Sequence, residues 1–240
     1  MATLYRCIAC NSTFDEHQPV CTGCFRVGQL LPVPRRSYAA ADHQPGIATA
    51  KSLSRMTFHE IDQTVCPGLR LGVKSMVVIE GHSGKGKSSL AARLANSVAG
   101  PTVLSSVEES IGPALASRLA RCGVRSEDFI IVSRASVDQI IQISIKAKAK
   151  VLVVDSVVEA VWRPEELRHA LEIIPTLDLL LAVSQVNKAG EPLGRNALIH
   201  ECDVQIHCAE MRWSLRKSRF QDLNGVGGDV LPPQAERGDE

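Results

Sequence analysis

The chain has 240 residues, 45% hydrophobic and only 4% aromatic, which is enough for one α/β domain with an aliphatic core and one small accessory module. Its formal net charge of +1 gives no overall attraction to nucleic acid or to a membrane surface, so any basic surface must be local. No apolar run approaches the roughly 20 residues of a membrane span, and the N-terminus lacks a signal-peptide apolar segment, so the expected location is cytoplasmic.

The composition changes along the chain and predicts four zones. Residues 1–31 hold four of the eight cysteines and show little apolar periodicity, which indicates a small separate module. Residues 32–52 lack periodicity and contain several prolines, so they are expected to form a linker. Residues 53–220 alternate β-type runs with helical stretches and form the core. Residues 221–240 combine Gly and Pro clusters with a charged end, which predicts a disordered tail.

The cysteines of the first zone form two Cys-x-x-Cys pairs, Cys7 with Cys10 and Cys21 with Cys24. Four thiolates complete the tetrahedral shell of Zn²⁺ and leave no open position, so a structural zinc module is predicted. So small a segment would need the metal in order to fold. Two local disulfides or free thiols are the alternative, which a reducing compartment disfavours.

Residues 81–88 read Gly-His-Ser-Gly-Lys-Gly-Lys-Ser and fit the phosphate-binding pattern Gly-x-x-x-x-Gly-Lys-[Ser/Thr] at every fixed position. An apolar run precedes them and an Ala/Leu-rich stretch follows, which gives the strand, turn and helix start that the motif requires. Lys87 is expected to reach the β- and γ-phosphates of a nucleoside triphosphate, and Ser88 to hold Mg²⁺. The expected nucleotide contacts are Gly81, His82, Ser83, Gly84, Lys85, Gly86, Lys87, Ser88 and Ser89.

Strands and helices alternate through the core zone. The continuous apolar run Val151-Leu152-Val153-Val154 is typical of a strand covered on both faces. We therefore predict an α/β core with a doubly wound, mostly parallel sheet that binds ligands at the carboxyl ends of its strands. The last two strands have no helix between them and are expected to form a hairpin. Strands are predicted at about 75–80, 102–105, 128–133, 151–155, 178–184, 203–208 and 212–217, and helices at about 87–98, 109–122, 135–148, 164–172 and 194–201.

Two acidic positions complete the expected nucleotide site. Asp155 directly follows the apolar run, so it lies at the carboxyl edge of the sheet, where its carboxylate can hold the Mg²⁺ shell with Ser88. An Asp that merely starts a turn is the alternative. Glu108 follows the next strand after the phosphate loop, where a carboxylate can orient the attacking water. The neighbouring Glu109 and Ser110 can instead cap the following helix.

Together these residues resemble the RecA family of ATPases. The segment at 151–157, Val-Leu-Val-Val-Asp-Ser-Val, is similar to that family's metal-binding strand. Glu-Glu-Ser at 108–110, with the cysteine module, resembles one branch, the RadA/Sms recombination ATPases. The segment at 183–190 resembles that branch's Val-Thr-Lys-Glu-Gly segment, and Lys-Ser-Arg-Phe at 217–220 resembles its Lys-Asn-Arg-Phe-Gly motif. The resemblance runs in order from about residue 5 to 221 and implies a RecA-like P-loop NTPase core with an N-terminal zinc-ribbon-like module.

The resemblance implies catalytic roles by position. Glu108 matches the catalytic glutamate, beside the phosphate-binding Lys87. Gln185 matches a sensor that couples the γ-phosphate to the next loop. Lys217 and Arg219 match cations that reach into the neighbouring subunit's site, as an arginine finger does. Such cations stabilise charge on the transferring phosphoryl group, so hydrolysis would depend on assembly.

The sequence itself gives little evidence for nucleic acid binding. Lys188 and Arg195 flank a loop without aromatic residues, and a solvated face is the better interpretation of the basic cluster on the last strand. The resemblance implies that the loop, at about 188–196, faces the channel of a ring and contacts DNA. A homo-oligomeric ring, expected to be a hexamer, would repeat the two cations around one strand and gain by multivalency.

The sequence also departs from the branch. Ser218 and Gln221 replace the Asn and Gly of the basic motif, and Val107 replaces a Gly before the glutamates. The chain ends soon after the basic motif, so no counterpart of the family's C-terminal Lon-protease-like domain is expected. The missing domain bears on the stability of a ring, and the changes at Ser218 and Gln221 bear on the role of the basic motif.

The expected function is therefore an ATP-dependent, DNA-binding ATPase, a motor or switch on single-stranded or branched DNA in recombination or repair, with ATP, Mg²⁺ and Zn²⁺ as cofactors. The alternative is a nucleotide-gated regulatory or assembly ATPase that binds replication or recombination proteins through its zinc module. A small-molecule phosphotransferase is disfavoured, because no lid with several arginines stands out in the sequence.

Overall fold

The computed structural model divides the chain into two units, Met1–Ser54 and Arg55–Glu240. In the first unit it describes three strands. In the second it describes the following residues: 58–59, 61–158, 160, 162–186 and 196–231.

The first unit contains a small antiparallel sheet. Its strands are β1 (Leu4–Cys7), β2 (Thr13–Phe14) and β3 (Leu30–Val33), in the order β2-β1-β3. Strand β3 extends two residues beyond the predicted end of the module at residue 31. Of the four predicted zinc ligands only Cys7 falls in a described strand, at the end of β1, and its side chain is outside the described part. The other three cysteines lie outside the described residues altogether, so zinc binding stays a prediction.

The second unit is built from a sheet with helices on both faces, and its described elements lie close to the predicted ones. The strands are β4 (Ser75–Gly81), β5 (Thr102–Ser106), β6 (Phe129–Ser133), β7 (Val151–Asp155), β8 (Leu179–Gln185), β9 (Val204–Ala209), β10 (Arg212–Ser218) and β11 (Gly227–Asp229). The helices are α1 (Lys87–Ser97), α2 (Pro113–Arg121), α3 (Val137–Lys146), α4 (Pro164–Ile173) and α5 (Asn196–Glu201).

The strand order is β11-β10-β9-β4-β8-β7-β5-β6. The six strands from β9 to β6 in that order are parallel, whereas β9, β10 and β11 pair antiparallel at one edge. The predicted α/β architecture with a mostly parallel sheet is therefore confirmed, and the last two predicted strands form the expected hairpin. The central position of β4 puts the phosphate loop, which follows it, in the middle of the carboxyl edge.

Alternate residues of each central strand enter two separate cores. On β4, Val77 and Ile79 pack toward the face covered by α1 and α2. Met76 and Val78 pack toward the opposite face, covered by α3, α4 and α5. Both faces of the strand are thus removed from water, which explains why its sequence is a continuous apolar run rather than an alternating one.

The helices begin where local sequence supplies a cap or a fixed dihedral angle. Helix α3 has a capping box, in which Ser136 accepts a hydrogen bond from the Gln139 backbone and the Gln139 side chain accepts one from the Ser136 backbone. Helix α4 starts with Pro164, a residue suited to the first helical position. Helix α2 starts at Pro113, four residues later than the sequence predicts.

The predicted disordered tail is wrong for its first half. Strand β11 lies within it and pairs with Arg212–Ser214 of β10. The next residue, Val230, is fully buried in the core beside α1. Its backbone N–H donates to the Met211 carbonyl at 2.8 Å, and Arg93 of α1 donates to the Val230 carbonyl. Residues 232–240 lie outside the described part.

Within the described part of the chain, no helix is both long enough and apolar enough to cross a membrane.

Candidate nucleotide site

The phosphate loop connects β4 to α1 and is shaped by glycines. Gly86 precedes the helix with φ 92°, a left-handed conformation that side-chain-bearing residues rarely adopt. A Cβ atom on Gly86 would also lie 2.8 Å from Val230 Cγ1 and 3.1 Å from Met211 Sδ. Gly81 has φ 148°, and a Cβ there would overlap the Cys208 carbonyl oxygen. Both the backbone angles and the space at these positions therefore require glycine.

The loop borders a cavity of about 240 Å³ at the carboxyl edge of the sheet, the edge where folds of this kind bind ligands. The lining comes from the loop and α1, from the ends of β7 and β8, from the segment after β5, from α2 and from the β9–β10 turn. Its residues are Ser83, Gly84, Gly86, Lys87, Ser88, Ser89, Glu108, Arg118, Asp155, Val183, Gln185 and Met211.

Lys87 is the first residue of α1 and is buried beneath the loop. Its Nζ donates a hydrogen bond to the His82 carbonyl at 2.8 Å. Burial lowers the pKa of Lys87 below its usual range, and the carboxylates of Asp155 and Glu108 oppose that shift. The ammonium group therefore interacts electrostatically with two carboxylates. It has three N–H donors, so donors remain for a phosphate besides the hydrogen bond to His82.

Asp155 ends β7 and is buried next to Ser88. Burial raises the pKa of Asp155, while a hydrogen bond with the Ser88 side chain and the charges of Arg118 and Lys87 oppose the rise. A hydroxyl and a carboxylate side by side are the oxygen donors that Mg²⁺ takes from a protein in phosphate sites. The residues present therefore fit the ion that the sequence predicts here.

Glu108 is held between the ends of two other strands. Its Oε1 accepts a hydrogen bond from Ser156 Oγ at 2.6 Å and another from Gln185 Nε2 at 2.9 Å. Ser156 directly follows β7, and Gln185 ends β8. The carboxylate that follows β5 is thereby tied to the neighbouring strands at the cavity.

The structure thus brings together five side chains that the sequence analysis placed in one site, namely Lys87, Ser88, Glu108, Asp155 and Gln185. Their catalytic roles stay predictions. Of the remaining predicted nucleotide contacts, Ser83, Gly84, Gly86 and Ser89 line the same cavity, whereas Gly81, His82 and Lys85 lie in the loop without lining it.

Arg118 is the charged cavity residue that the sequence analysis missed. Its Nε and Nη2 donate to Glu109 Oε2 at 2.9 and 2.8 Å, and Nη2 lies 3.8 Å from Asp155 Oδ2. This pairing also settles the alternative for Glu109, because the helix begins after Gly112 and Glu109 binds Arg118 instead of capping it. A signal was present in the sequence: Arg118 follows Leu115 by three residues, on the buried face of α2.

Lys217 and Arg219 do not line the cavity of their own chain. Lys217 Nζ donates to the carbonyls of Ile199 at 2.7 Å and His200 at 3.1 Å, in the last turn of α5. Arg219 is half-exposed, and its Nη1 lies 3.2 Å from Asp203 Oδ1. A role in a neighbouring subunit stays a prediction for both. Lys188 and Arg195, the predicted DNA contacts, lie outside the described residues.

Comparison with known proteins supports the resemblance. No protein family model matches the chain. The chain is 26% identical to the DNA repair protein RadA of Haemophilus influenzae, over 94% of this chain and 57% of that protein. It is 27% identical to the DNA repair protein RadA of Aquifex aeolicus, over 64% of this chain and 33% of that protein. The chain thus spans little more than half the length of the first of these curated relatives and a third of the second.

The fold has a counterpart among solved structures. The KaiC-like protein PH0186 of Pyrococcus horikoshii superposes with a TM-score of 0.54 at 17% sequence identity, over 72% of this chain and 93% of that one. Identity at that level supports the fold alone. The likeness to RadA in sequence and the shared fold agree with the resemblance inferred from the motifs at 81–88, 108–110 and 151–157. The chain is therefore similar in sequence to the RadA proteins, and its mostly parallel α/β core is consistent with a RecA-like P-loop fold.

Proposed function

We propose that the chain is an Mg²⁺-dependent ATPase that acts on DNA in repair or recombination. The observation that carries this proposal is the convergence of Lys87, Ser88, Asp155, Glu108 and Gln185 on one cavity at the carboxyl edge of the sheet. These side chains come from four separate stretches of the chain, and each is of the chemical type that phosphoryl transfer requires. The RadA name of the relatives supplies the DNA repair context.

In this mechanism the protein positions the triphosphate and the water. Lys87 and the loop N–H groups bind the β- and γ-phosphates, and the oxygens of Ser88 and Asp155 hold the Mg²⁺ ion. When bound, the ion neutralises charge on the phosphate oxygens. Glu108 orients a water molecule and accepts its proton as the new O–P bond forms and the bond from the γ-phosphorus to the bridging oxygen breaks.

The contacts of Glu108 suit that task. Ser156 and Gln185 both donate to Oε1, which anchors the carboxylate and leaves Oε2 as the oxygen that would accept from the water. Loss of the γ-phosphate would change the position of Glu108 and, through the 2.9 Å hydrogen bond, of Gln185. Gln185 ends β8 immediately before the segment that carries Lys188, so it is placed to transmit the state of the nucleotide toward the proposed DNA loop.

DNA binding and ring assembly complete the proposal. A single chain with net charge +1 would bind a phosphate backbone weakly through Lys188 and Arg195. A ring, expected to be a hexamer, would place copies of both cations around one single-stranded or branched DNA. The cysteine module, with Zn²⁺ bound by Cys7, Cys10, Cys21 and Cys24, would stabilise the N-terminal unit and offer a surface to a replication or recombination protein.

The test is ATP hydrolysis with and without single-stranded DNA, over a range of salt concentrations. We expect Mg²⁺-dependent turnover that DNA stimulates, with DNA affinity falling steeply as salt rises. Lys87→Ala should remove nucleotide binding or turnover, whereas Lys85→Ala, on a loop residue that does not line the cavity, should change it far less. Absence of DNA binding at low salt with ATP present would reject the DNA part of the proposal, and unchanged turnover in Lys87→Ala would reject the site.

A second candidate function is a nucleotide-gated regulatory or assembly ATPase that binds protein partners through the zinc module. The near-neutral charge of the chain favours it. It predicts a nucleotide-dependent complex with a protein, no stimulation of hydrolysis by DNA, and loss of the complex in Cys7→Ser or Cys21→Ser. Stimulation by DNA that survives these substitutions would exclude it as the main function.

A further inference from the structure

We propose that Arg118 binds the terminal phosphate of the bound triphosphate within its own chain, and so makes the site selective for a nucleoside triphosphate over a diphosphate. The inference rests on the proposed function, since it names a further residue of the same site. It does not rest on the RecA-type motifs, because Arg118 belongs to none of them.

The first argument is the position of Arg118. Among the residues that line the cavity, Lys87 and Arg118 are the two cations. Lys87 comes from the phosphate loop itself, whereas Arg118 comes from α2, beyond β5. Its Nη2 lies 3.8 Å from Asp155 Oδ2, the carboxylate assigned to Mg²⁺. The Mg²⁺ ion that Ser88 and Asp155 would hold would neutralise charge on the phosphates, and we place the terminal phosphate beside it, within reach of Arg118.

The second argument is the way the guanidinium is held. Glu109 Oε2 accepts hydrogen bonds from Nε and Nη2 of Arg118 at 2.9 and 2.8 Å, which fixes the plane of the group. Glu109 is itself anchored through its backbone, since its carbonyl accepts a hydrogen bond from Ser106 Oγ at 3.0 Å. A guanidinium whose orientation is fixed in advance loses little freedom when it binds a ligand.

The third argument is an unused donor. The Arg118 side chain is only 12% exposed, and its Nη1 is buried with no hydrogen-bond partner among the described residues. A buried N–H group of a charged side chain is costly to leave unpaired, and native structures rarely do so. Guanidinium groups bind phosphate with charge-assisted hydrogen bonds, so a phosphate oxygen that reaches the Arg118 side chain from the cavity would supply the acceptor that the group lacks.

These contacts distinguish Arg118 from the predicted trans-acting cations. Arg118 is already in the cavity of its own chain, so its contribution does not wait for a second subunit. We therefore expect a single chain to prefer ATP over ADP before any ring forms. Lys217 and Arg219, if they act in a neighbour, would add to turnover after assembly.

The test is equilibrium binding of MgATP and MgADP, at protein concentrations below those at which the chain assembles. We expect Arg118→Ala to weaken MgATP binding at least about tenfold and to change MgADP binding less than about twofold. Arg121→Ala is the matched control: it removes an arginine from the next turn of the same helix, where the side chain is exposed and bonds Ser117. It should leave both affinities unchanged.

Two further variants keep the test decisive if Arg118→Ala unfolds the chain. Arg118→Lys keeps the positive charge but loses the planar guanidinium with its several N–H donors. We expect this variant to retain part of the preference for ATP. Glu109→Gln removes the charge that fixes the guanidinium, and we expect it to reduce that preference without removing it. Preference for ATP at the wild-type level in both folded variants would overturn the inference.

The outcomes also separate this inference from the proposed function. If the wild-type chain binds neither nucleotide, the proposed function fails. If it binds ATP through Lys87 and Arg118→Ala weakens MgATP and MgADP equally, the proposed function stands and the inference is overturned. An Mg²⁺ requirement that changes in Arg118→Ala while the ratio of the two affinities stays constant would likewise overturn it, because Arg118 would then act through Asp155.

Discussion

Four basic residues either line the cavity or are predicted to act on a neighbouring subunit's site, and they fall into two sets with different surroundings. Lys87 and Arg118 line the cavity and keep donors that the protein does not use. Lys217 and Arg219, in and just after β10, bind groups of their own chain, the carbonyls at the end of α5 and the carboxylate of Asp203. The side chains of the first set have N–H donors left for a ligand, whereas those of the second set already bind groups of their own chain.

This difference indicates which part of the proposed nucleotide site a single chain can form by itself. In the proposed function, binding and orientation of a triphosphate would use the cavity residues, which one chain supplies. Any trans action by Lys217 or Arg219 must first release contacts that stabilise the chain that carries them. Arg219, which is 54% exposed and makes one described ion pair, has less to lose than Lys217 with its two carbonyls. We therefore expect Arg219 to be the trans-acting residue and Lys217 to support the fold.

The largest expected effect tests Arg219. If its guanidinium completes a neighbour's site, Arg219→Ala should lower turnover by about 10³-fold or more while leaving the folded monomer and its nucleotide affinity intact. Mixing Arg219→Ala with Lys87→Ala subunits should restore part of the activity, because some interfaces then combine an intact loop with an intact arginine. Steady-state hydrolysis across mixing ratios measures this. Failure of every mixture to exceed its components would remove Arg219 from a shared site.

The next effect tests Glu108. Glu108→Gln keeps the shape and one carbonyl oxygen but cannot accept the proton of the water, so turnover should fall by about 10²- to 10⁴-fold with ATP still bound. Single-turnover hydrolysis and equilibrium binding separate the two quantities. Glu127→Gln, at an exposed position before β6, is the control. Equal turnover in Glu108→Gln and wild type would assign the water to another group.

A smaller effect follows from the pKa of Asp155, which burial raises above its ordinary value. A protonated carboxyl cannot hold Mg²⁺, so metal affinity should weaken as the pH falls and begin to do so at a higher pH than for an ordinary aspartate. The raised pKa also means that the folded chain holds this proton more tightly than the unfolded chain, so metal-free stability falls as pH rises through the folded-state pKa.

Mg²⁺ titrations of the nucleotide complex over a series of pH values, in wild type and Asp155→Asn, would measure the effect on metal affinity, because the titration of the nucleotide's own phosphates is common to both. Asp155→Asn should remove most of the metal affinity that the protein contributes and the pH dependence that comes with it. The same pH dependence in both proteins would contradict the assignment of Asp155 as a ligand.

The smallest effect tests Lys217. Its ammonium satisfies two carbonyls at the end of α5 and sits favourably at the negative end of that helix, so Lys217→Met should lower the free energy of unfolding by about 1 kcal/mol. Urea denaturation of the isolated chain measures this. Turnover should change in proportion to the loss of folded protein and no further. A large loss of turnover with unchanged stability would move Lys217 into the trans-acting set.

The site residues that could be predicted share one property. One short segment of sequence shows both the chemical type of the side chain and its place at the edge of the sheet. The phosphate loop carries its own strand, turn and helix start, and Asp155 ends an apolar strand, so the edge of the sheet that each occupies follows from local pattern. No short sequence pattern around Arg118 indicates that its side chain lies in the cavity. Its place in the cavity depends on where α2 packs, and that depends on buried contacts made by Leu115 and Leu119.

The prediction for residues 221–240 shows the opposite error. Glycines at 225, 227 and 228 indicate flexibility when they are considered as composition alone. In the structure Gly227 lies against Trp213, where a Cβ would come within 2.6 Å of the Trp213 carbonyl oxygen, and Gly228 lies beside the indole ring. These glycines permit close approach of two strands. The distinction between a loose segment and a tightly packed one depends on the partner strand, which local sequence does not reveal.

The contact of Gly86 with Val230 and Met211 has a consequence for how such a sequence can change over generations. Gly86 of the phosphate loop packs against Val230, which lies 144 positions further along the chain. A larger side chain at position 230 or 211 would therefore press on the phosphate loop at Gly86, although neither position belongs to a recognised motif. Substitutions at positions 86, 211 and 230 should therefore occur together, and exchanging residues 227–230 with those of a distant relative should damage the phosphate loop unless position 211 is exchanged as well.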